Sequence, residues 1–150
     1  MRAILQRVST ASVTIDGITN GQIGAGLLVL LGVAKDDTPA DGEWLAQKAV
    51  KLRVFADDAG HMNRSVQDIG GGVLVVSQFT LFASTRKGTR PSFNVAASPQ
   101  PAENLYNMFL RQMESALGRP VATGRFAATM QVALVNDGPV TVILDSKARE

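Results

Sequence analysis

The chain has 150 residues, of which 45% are hydrophobic and 19% are charged, and its formal net charge is +2. These values are typical of one globular domain spanning residues 1–150, and they argue against a surface that binds nucleic acid everywhere, so any RNA contact should be local. The absence of cysteine excludes disulfides, thiolate nucleophiles and cysteine-based zinc sites.

Strands are predicted throughout the N-terminal third. Residues 1–9 form a first predicted strand, and residues 13–19 form a hairpin because Asp16-Gly17 is a favoured two-residue turn. Asn20-Gly21 offers a competing turn, which leaves the register open. Residues 27–34 are nearly all aliphatic and predict a central strand that is buried on both faces.

Two helices are predicted from capping signals and apolar stripes. Thr38 is a suitable N-cap before Pro39, and Asp41 occupies the capping-box position. Trp44 lies on the apolar face of this helix, where core packing is a simpler role than binding a ligand. The second helix begins at Ser98-Pro99 and ends at Gly118, and its predicted core stripe is Leu105, Met108, Phe109, Met113, Ala116 and Leu117.

The last third returns to strands. Residues 126–135 predict a long strand, residues 136–139 a turn, and residues 140–144 a final strand. The predicted fold is therefore α+β, with mostly antiparallel, barrel-like sheets and two main helices packed on the sheet.

Residues 73–83, Val-Leu-Val-Val-Ser-Gln-Phe-Thr-Leu-Phe-Ala, carry the best local signal of function. They begin as a buried strand and then place Ser77, Gln78 and Thr80 among apolar neighbours, where an unpaired polar group costs about 1–3 kcal/mol. If the backbone turns here, the N–H groups of residues 77–79 could face a developing oxyanion. Thr80 could be a nucleophile, a residue that orients water, or an ordinary strand threonine.

A cationic loop follows this stretch. Arg86, Lys87 and Arg90 surround Gly88, and they are either solvated surface charges or a grip for RNA phosphates.

Familiar catalytic and cofactor motifs are missing from the sequence. His61, the only histidine, lies in a polar stretch typical of an exposed loop, and no partner acid is evident. The glycine clusters lack phosphate-loop and dinucleotide spacing, and Asp57-Asp58 lacks the ligand pattern of a calcium loop. We therefore expect no metal and no cofactor, and chemistry that depends on backbone groups and hydroxyls.

Four segments together resemble the bacterial-type D-aminoacyl-tRNA deacylases over essentially the whole chain. They are residues 1–8 (Met-Arg-Ala-Ile-Leu-Gln-Arg-Val), 77–81 (Ser-Gln-Phe-Thr-Leu), 124–130 (Gly-Arg-Phe-Ala-Ala-Thr-Met) and 136–141 (Asn-Asp-Gly-Pro-Val-Thr). The second and fourth motifs, in that order, are specific to this family.

The resemblance implies a cytoplasmic homodimer that hydrolyses D-aminoacyl-tRNA and mischarged glycyl-tRNA. Gly138 and Pro139, joined by a cis bond, would project into the partner's active site, clamp the α-amino group and exclude an L side chain. Arg7 would brace this loop. Ser77, Gln78 and Phe79 would line the pocket and supply backbone donors, and Thr80 is the family's disputed nucleophile.

The same resemblance assigns further roles. Phe126, Ala128 and Met130 would line the adenosine or amino-acid side of the pocket, and the 2′-hydroxyl of the terminal adenosine would assist attack by water. Two alternatives stay open: a related deacylase with a trans Gly-Pro bond that acts on a small L-aminoacyl-tRNA, and a non-catalytic tRNA-binding module.

Overall fold

The computed structural model describes residues 1–149, which form a six-stranded sheet, a two-stranded sheet and two α-helices. The strands are β1 (Arg2–Ile15), β2 (Ile18–Ile23), β3 (Gly26–Gly32), β4 (Phe55–Ala56), β5 (Met62–Arg64), β6 (Gly72–Ser77), β7 (Ala122–Thr123) and β8 (Gln131–Asp145). The helices are α1 (Pro39–Lys51) and α2 (Pro99–Leu117), and a short 3-10 helix spans Phe79–Phe82.

Strand β1 organises the main sheet. Its two halves pair antiparallel with β2 and β3, while its other edge pairs with β8 along almost its full length. The sheet continues through parallel ladders from β3 to β6 and from β6 to β7. The Asn20 side-chain amide of β2 donates to the Thr123 carbonyl of β7 (2.8 Å), so the sheet curls into a nearly closed barrel. The predicted α+β fold is confirmed, although these parallel ladders were not predicted.

Both helices pack on one face of this barrel and begin where predicted. Thr38 donates its backbone N–H to the Asp41 carboxylate (2.8 Å) in a capping box, and Gly118 ends α2 in the left-handed conformation. Burial acts to raise the pKa of Asp41, but hydrogen bonds led by the Thr38 N–H outweigh it and leave that pKa well below its usual range. Trp44 packs against the main core, as expected, and His61 is exposed.

The buried stripe of α2 differs in part from the prediction. Phe109, Met113 and Leu117 are buried as expected, but Leu105, Met108 and Ala116 are only half-buried. Ala102 and Tyr106 complete the buried face, and the side chain of Tyr106 turns inward toward β6.

Two further predictions about the C-terminal third are wrong. Residues 126–130 are not part of a strand, because the chain turns there: Ala127 has a left-handed φ of 61° and the Ala128 N–H donates to Arg125 (3.2 Å). Residues 136–139 are not a hairpin turn, because the segments on both sides pair with β1. The register jumps from Val8–Asn136 to Gln6–Thr141, so residues 137–140 bulge out of one continuous strand.

Candidate active site

A cleft opens at the carboxyl ends of the parallel strands β3 and β6. Its volume is about 700 Å³, which is within the usual range for small-molecule sites. The walls come from the ends of these strands, the start of α2, and the turn that precedes β8. The lining residues are Leu31, Val33, Lys35, Val76, Ser77, Gln78, Phe79, Phe93, Ala96, Ala97, Ser98, Pro99, Ala102, Tyr106, Phe126, Ala127, Ala128, Met130 and Val132.

Six residues singled out in the sequence meet in this cleft. Three come from the end of β6 and three from the turn before β8; they are Ser77, Gln78, Phe79, Phe126, Ala128 and Met130. Tyr106 joins the two segments, since its hydroxyl is hydrogen-bonded to the Val75 carbonyl (3.0 Å) and to the Thr123 hydroxyl (2.5 Å). Burial raises the pKa of Tyr106, so its hydroxyl stays protonated and able to donate at neutral pH.

The backbone at the end of β6 carries unpaired donors. The Gln78 N–H donates to the Leu31 carbonyl (2.7 Å), which continues the β3–β6 ladder by one step. Beyond it the chain enters the 3-10 helix, and within residues 1–149 the N–H groups of Phe79 and Thr80 have no acceptor. The Gln78 N–H is therefore engaged within the sheet, and the N–H groups without an acceptor lie one and two residues later.

Thr80 has no general base beside it. Its hydroxyl oxygen accepts a hydrogen bond from the Gln78 side-chain amide (2.5 Å), and a donating amide cannot remove a proton. The cleft lining includes no histidine, aspartate or glutamate, and Lys35 is its one charged side chain. Within residues 1–149 no three potential metal-ligating side chains cluster. The lining of this cleft therefore supplies no carboxylate or imidazole as a general base for Thr80.

Gly138 and Pro139 do not line the cleft of their own chain. They lie exposed at the bulge of β8, and their peptide bond is cis. Gly138 has a φ of +141°, and a Cβ there would lie 2.9 Å from the Val140 nitrogen and 3.1 Å from Nη2 of Arg7. A side chain at this position would therefore be both strained and crowded.

Arg7 connects this bulge to the segment between α1 and β4. Its Nε donates to the Asp137 carbonyl (2.8 Å) and its Nη1 donates to the Val54 carbonyl (2.6 Å). The guanidinium also lies 3.6 Å from the Asp137 carboxylate, and its side chain is only 15% exposed. A guanidinium group is planar and permanently charged and carries several N–H donors, so it is suited to bridge two carbonyl groups.

The cationic loop lies beside the cleft. Arg86, Lys87 and Arg90 are exposed and line a separate hollow of about 310 Å³. Reciprocal backbone hydrogen bonds between Ser84 and Ser92 (2.8 and 2.9 Å) close the base of the loop. Among residues 1–149 none of the three cations has a salt-bridge partner.

Comparisons with known proteins identify the family. A family model described as D-Tyr-tRNA(Tyr) deacylase matches residues 4–145. Curated proteins named D-aminoacyl-tRNA deacylase match at 67% identity in Opitutus terrae, covering all of both chains, and at 59% in Deinococcus radiodurans, covering 97% of this chain and 99% of the relative. The chain belongs to the D-Tyr-tRNA(Tyr) deacylase family.

Solved structures with the same fold agree with this family assignment. A structure titled "c-Myc DNA Unwinding Element Binding Protein" superposes with a TM-score of 0.93 at 44% identity, covering 99% of this chain and 100% of that chain. A second, titled as a probable eukaryotic D-amino acid tRNA deacylase, has a TM-score of 0.81 over 95% of this chain and 97% of that chain; its identity of 16% supports the fold alone.

Several lining residues of this deacylase-family cleft were missed by sequence reasoning. Lys35 follows β3 as Gln78 follows β6, and residues beyond the carboxyl ends of parallel strands meet at one sheet edge. The parallel pairing would have identified Lys35, but no pattern in the sequence distinguishes Phe93 or Tyr106 from core aromatics.

Arg7→Lys should loosen the bulge of β8, because an ammonium group cannot bridge both carbonyls in the geometry of the guanidinium fork. The Val140 N–H, which donates to the Asn136 side chain (3.0 Å), reports on the bulge. We expect its hydrogen exchange to accelerate roughly fivefold, which corresponds to one lost hydrogen bond of about 1 kcal/mol. Arg111→Lys on the exposed face of α2 is the control, and equal exchange in both variants would contradict the bracing role.

Proposed function

We propose that this chain hydrolyses the ester bond between a D-amino acid and the 3′ end of tRNA, and that the ester binds beside Phe79 and Thr80. Family membership supports the reaction. The observation that carries the placement is a pair of unpaired backbone N–H groups beside a cleft whose lining includes no carboxylate and no histidine. Such donors stabilise the oxyanion of a tetrahedral intermediate but cannot activate water.

In the proposed reaction, a water oxygen attacks the ester carbonyl carbon. The carbonyl oxygen becomes an oxyanion that accepts hydrogen bonds from the Phe79 and Thr80 N–H groups. Collapse of the intermediate breaks the bond between the carbonyl carbon and the ribose 3′ oxygen. The proton from the attacking water passes to that 3′ oxygen, with the adjacent 2′-hydroxyl of the adenosine as the relay. The products are a free D-amino acid and deacylated tRNA.

Selectivity for the D enantiomer would come from exclusion of the L side chain. In a homodimer, the partner's copies of Gly138 and Pro139 would direct their carbonyl oxygens at the α-amino group of the substrate. An L side chain would then collide with this backbone, whereas a D side chain would point away. Glycine has no side chain to collide, so glycyl-tRNA would also be a substrate.

Dimerisation through β8 is supported by the chemistry of its outer edge. This strand has 15 residues, and no strand of the described chain pairs with its outer side. Val135 is 56% exposed and Ile143 is 69% exposed, and they flank the bulge that carries Gly138 and Pro139. A long apolar edge normally needs a covering partner, and a second copy would bring the bulge to another cleft.

The remaining proposed contacts concern the tRNA. Phe126, Ala128 and Met130 would surround the terminal adenosine or the amino-acid side chain, and Arg86, Lys87 and Arg90 would bind phosphates of the acceptor end. A cytoplasmic location follows from a tRNA substrate. No helix in residues 1–149 is long and apolar enough to cross a membrane.

Matched D- and L-tyrosyl-tRNA test the function directly. Purified protein should release the D-amino acid and leave the L-aminoacyl ester at its spontaneous rate of hydrolysis, because the backbone of the partner rejects the L side chain. Faster release from the L substrate would favour the related L-specific deacylase. No release from either substrate, with retained tRNA binding, would favour a binding module.

Thr80→Ala tests whether Thr80 or the 2′-hydroxyl of the terminal adenosine is needed for catalysis. We expect at most about tenfold loss of kcat, because Thr80 has no base and its N–H remains. A tRNA that ends in 3′-aminoacyl-2′-deoxyadenosine should lose activity almost completely. A loss near ten-thousand-fold in Thr80→Ala, with the 2′-deoxy substrate still cleaved, would instead make Thr80 the nucleophile.

A mixed-dimer experiment tests whether the site is shared between subunits. Phe79→Pro removes a backbone donor from the cleft, and Gly138→Ala crowds the bulge, so each variant alone should be inactive. Dimers refolded from an equal mixture should regain about a quarter of the wild-type activity, since half are heterodimers with one intact site. Phe79→Leu, which keeps the N–H, is the control; a mixture as inactive as its components would exclude the shared site.

A further inference from the structure

Two exposed aromatic rings lie at the rim of the cleft. Phe79 is 57% exposed and Phe93 is 37% exposed, and both belong to the cleft lining. Their ring centroids are 4.9 Å apart at an interplanar angle of 64°, so the edge of one ring meets the face of the other. This contact holds the rings in place while leaving much of their surface open to a ligand.

Lys35 lies at the same rim. Its backbone N–H donates to the Val95 carbonyl (3.1 Å), two residues after Phe93, and the neighbouring Ala34 and Ala96 form a β-bridge. Its exposed side chain is the one charged group of the cleft lining, and no carboxylate within residues 1–149 forms a salt bridge with it. This ammonium group therefore has no salt-bridge partner within residues 1–149.

An open aromatic ring beside an unpaired cation matches the chemistry of a nucleotide. Single-stranded nucleic acid is bound by stacking of bases on aromatic rings and by pairing of phosphates with cations. An amino-acid side chain offers no anion in general, and the amino group of the substrate would be repelled by Lys35. The rim is therefore suited to RNA rather than to the amino acid.

The order of groups along the cleft selects which nucleotide binds here. The proposed ester site lies at Phe79 and Thr80, and the cations Arg86, Lys87 and Arg90 lie beyond Phe93 on the loop closed by Ser84 and Ser92. Phe93 directly follows this loop in the chain, so an RNA strand that extends from the ester to these cations would pass Phe93 after its terminal adenosine.

We propose that Lys35 and Phe93 form a subsite for the nucleotide that precedes the terminal adenosine. The base of that nucleotide stacks on Phe93, and the phosphate that links it to the adenosine pairs with the Lys35 ammonium group. This subsite rests on the proposed function for its substrate. It makes the cleft recognise the end of an RNA chain rather than an isolated aminoacyl-adenosine, and it adds two specificity-determining residues to the site.

Substrates of increasing length test the subsite. D-tyrosyl-adenosine, its cytidylyl-(3′,5′)-adenosine counterpart and D-tyrosyl-tRNA are compared in wild type, Phe93→Leu and Lys35→Met. Each variant should raise KM about tenfold for the two longer substrates, with kcat within about twofold, because one stacking or phosphate contact is lost. Because Phe93 also packs on Phe79, some effect on D-tyrosyl-adenosine is expected, but in both variants it should be clearly smaller than the effect on the two longer substrates. Lys48→Met, an exposed cation on α1, is the matched control.

Binding of ligands that carry no amino acid tests the subsite without catalysis. Wild type should bind cytidylyl-(3′,5′)-adenosine more tightly than adenosine, and Phe93→Leu should remove that difference. Equal effects of the variants on D-tyrosyl-adenosine and on the longer substrates would overturn the proposal. Equal affinities of wild type for adenosine and for cytidylyl-(3′,5′)-adenosine would also overturn it. A failure of the proposed function is distinct: wild type would hydrolyse none of the three D-esters while this binding difference still reports on the rim.

Discussion

The parallel pairing of β3 with β6 is the constraint on which the candidate site depends. Leu31 lies opposite Ser77 at the end of this ladder, and the last hydrogen bond runs from the Gln78 N–H to the Leu31 carbonyl. Both strands finish at the same edge, so the chain must leave the sheet there in two directions. The segment after β3 leads to Lys35. The segment after β6 enters the 3-10 helix, which leaves the Phe79 and Thr80 N–H groups unpaired. The cleft and its donors thus have a single structural cause.

A second constraint places the bulge of β8 away from this cleft. Both halves of β8 pair with β1, but residues 137–140 lie opposite the single residue Arg7, so the surplus backbone must protrude. Arg7, from β1 itself, binds the protruding backbone at Asp137. One strand therefore sets the position of the bulge and supplies the cation that holds it. In the proposed homodimer, this protrusion of one copy would face the cleft of the other.

Local signals in the sequence predicted local structure well. The Asp16-Gly17 turn, the capping box of Thr38 and Asp41, and the left-handed end of α2 at Gly118 each depend on neighbours within a few residues, and all are present. Six of the predicted site residues line one cleft, three of them at and directly after the end of β6, and their functional roles stay predictions.

Long-range features escaped prediction for physical reasons. Aliphatic runs such as residues 27–33 fit a parallel or an antiparallel strand equally well, so the shared edge of β3 and β6 was not visible. The small residues at 126–130 suit a strand or a turn, and contacts with Tyr106 and the neighbouring strands decide between them. Residues 136–139 have turn composition, but only the pairing of both flanks with β1 makes them a bulge. Phe93 lacked any signal, because its exposure is a property of the folded chain.

The lack of a base in the cleft is consistent with the kind of substrate proposed. A positioned general base is worth about 10²–10⁴ in rate, and an oxyanion donor about 10²–10³, so donors alone leave a deficit. A hydroxyl that is covalently next to the ester can supply this deficit, because well-oriented intramolecular groups reach effective molarities of roughly 10⁵–10⁸ M. The ribose of the terminal adenosine carries such a group, its 2′-hydroxyl, so the proposed substrate would bring it into the cleft. Under the proposed mechanism, rigid placement of the nucleotide matters more than a reactive side chain, and a cleft built from backbone donors, small residues and aromatic rings would serve that purpose.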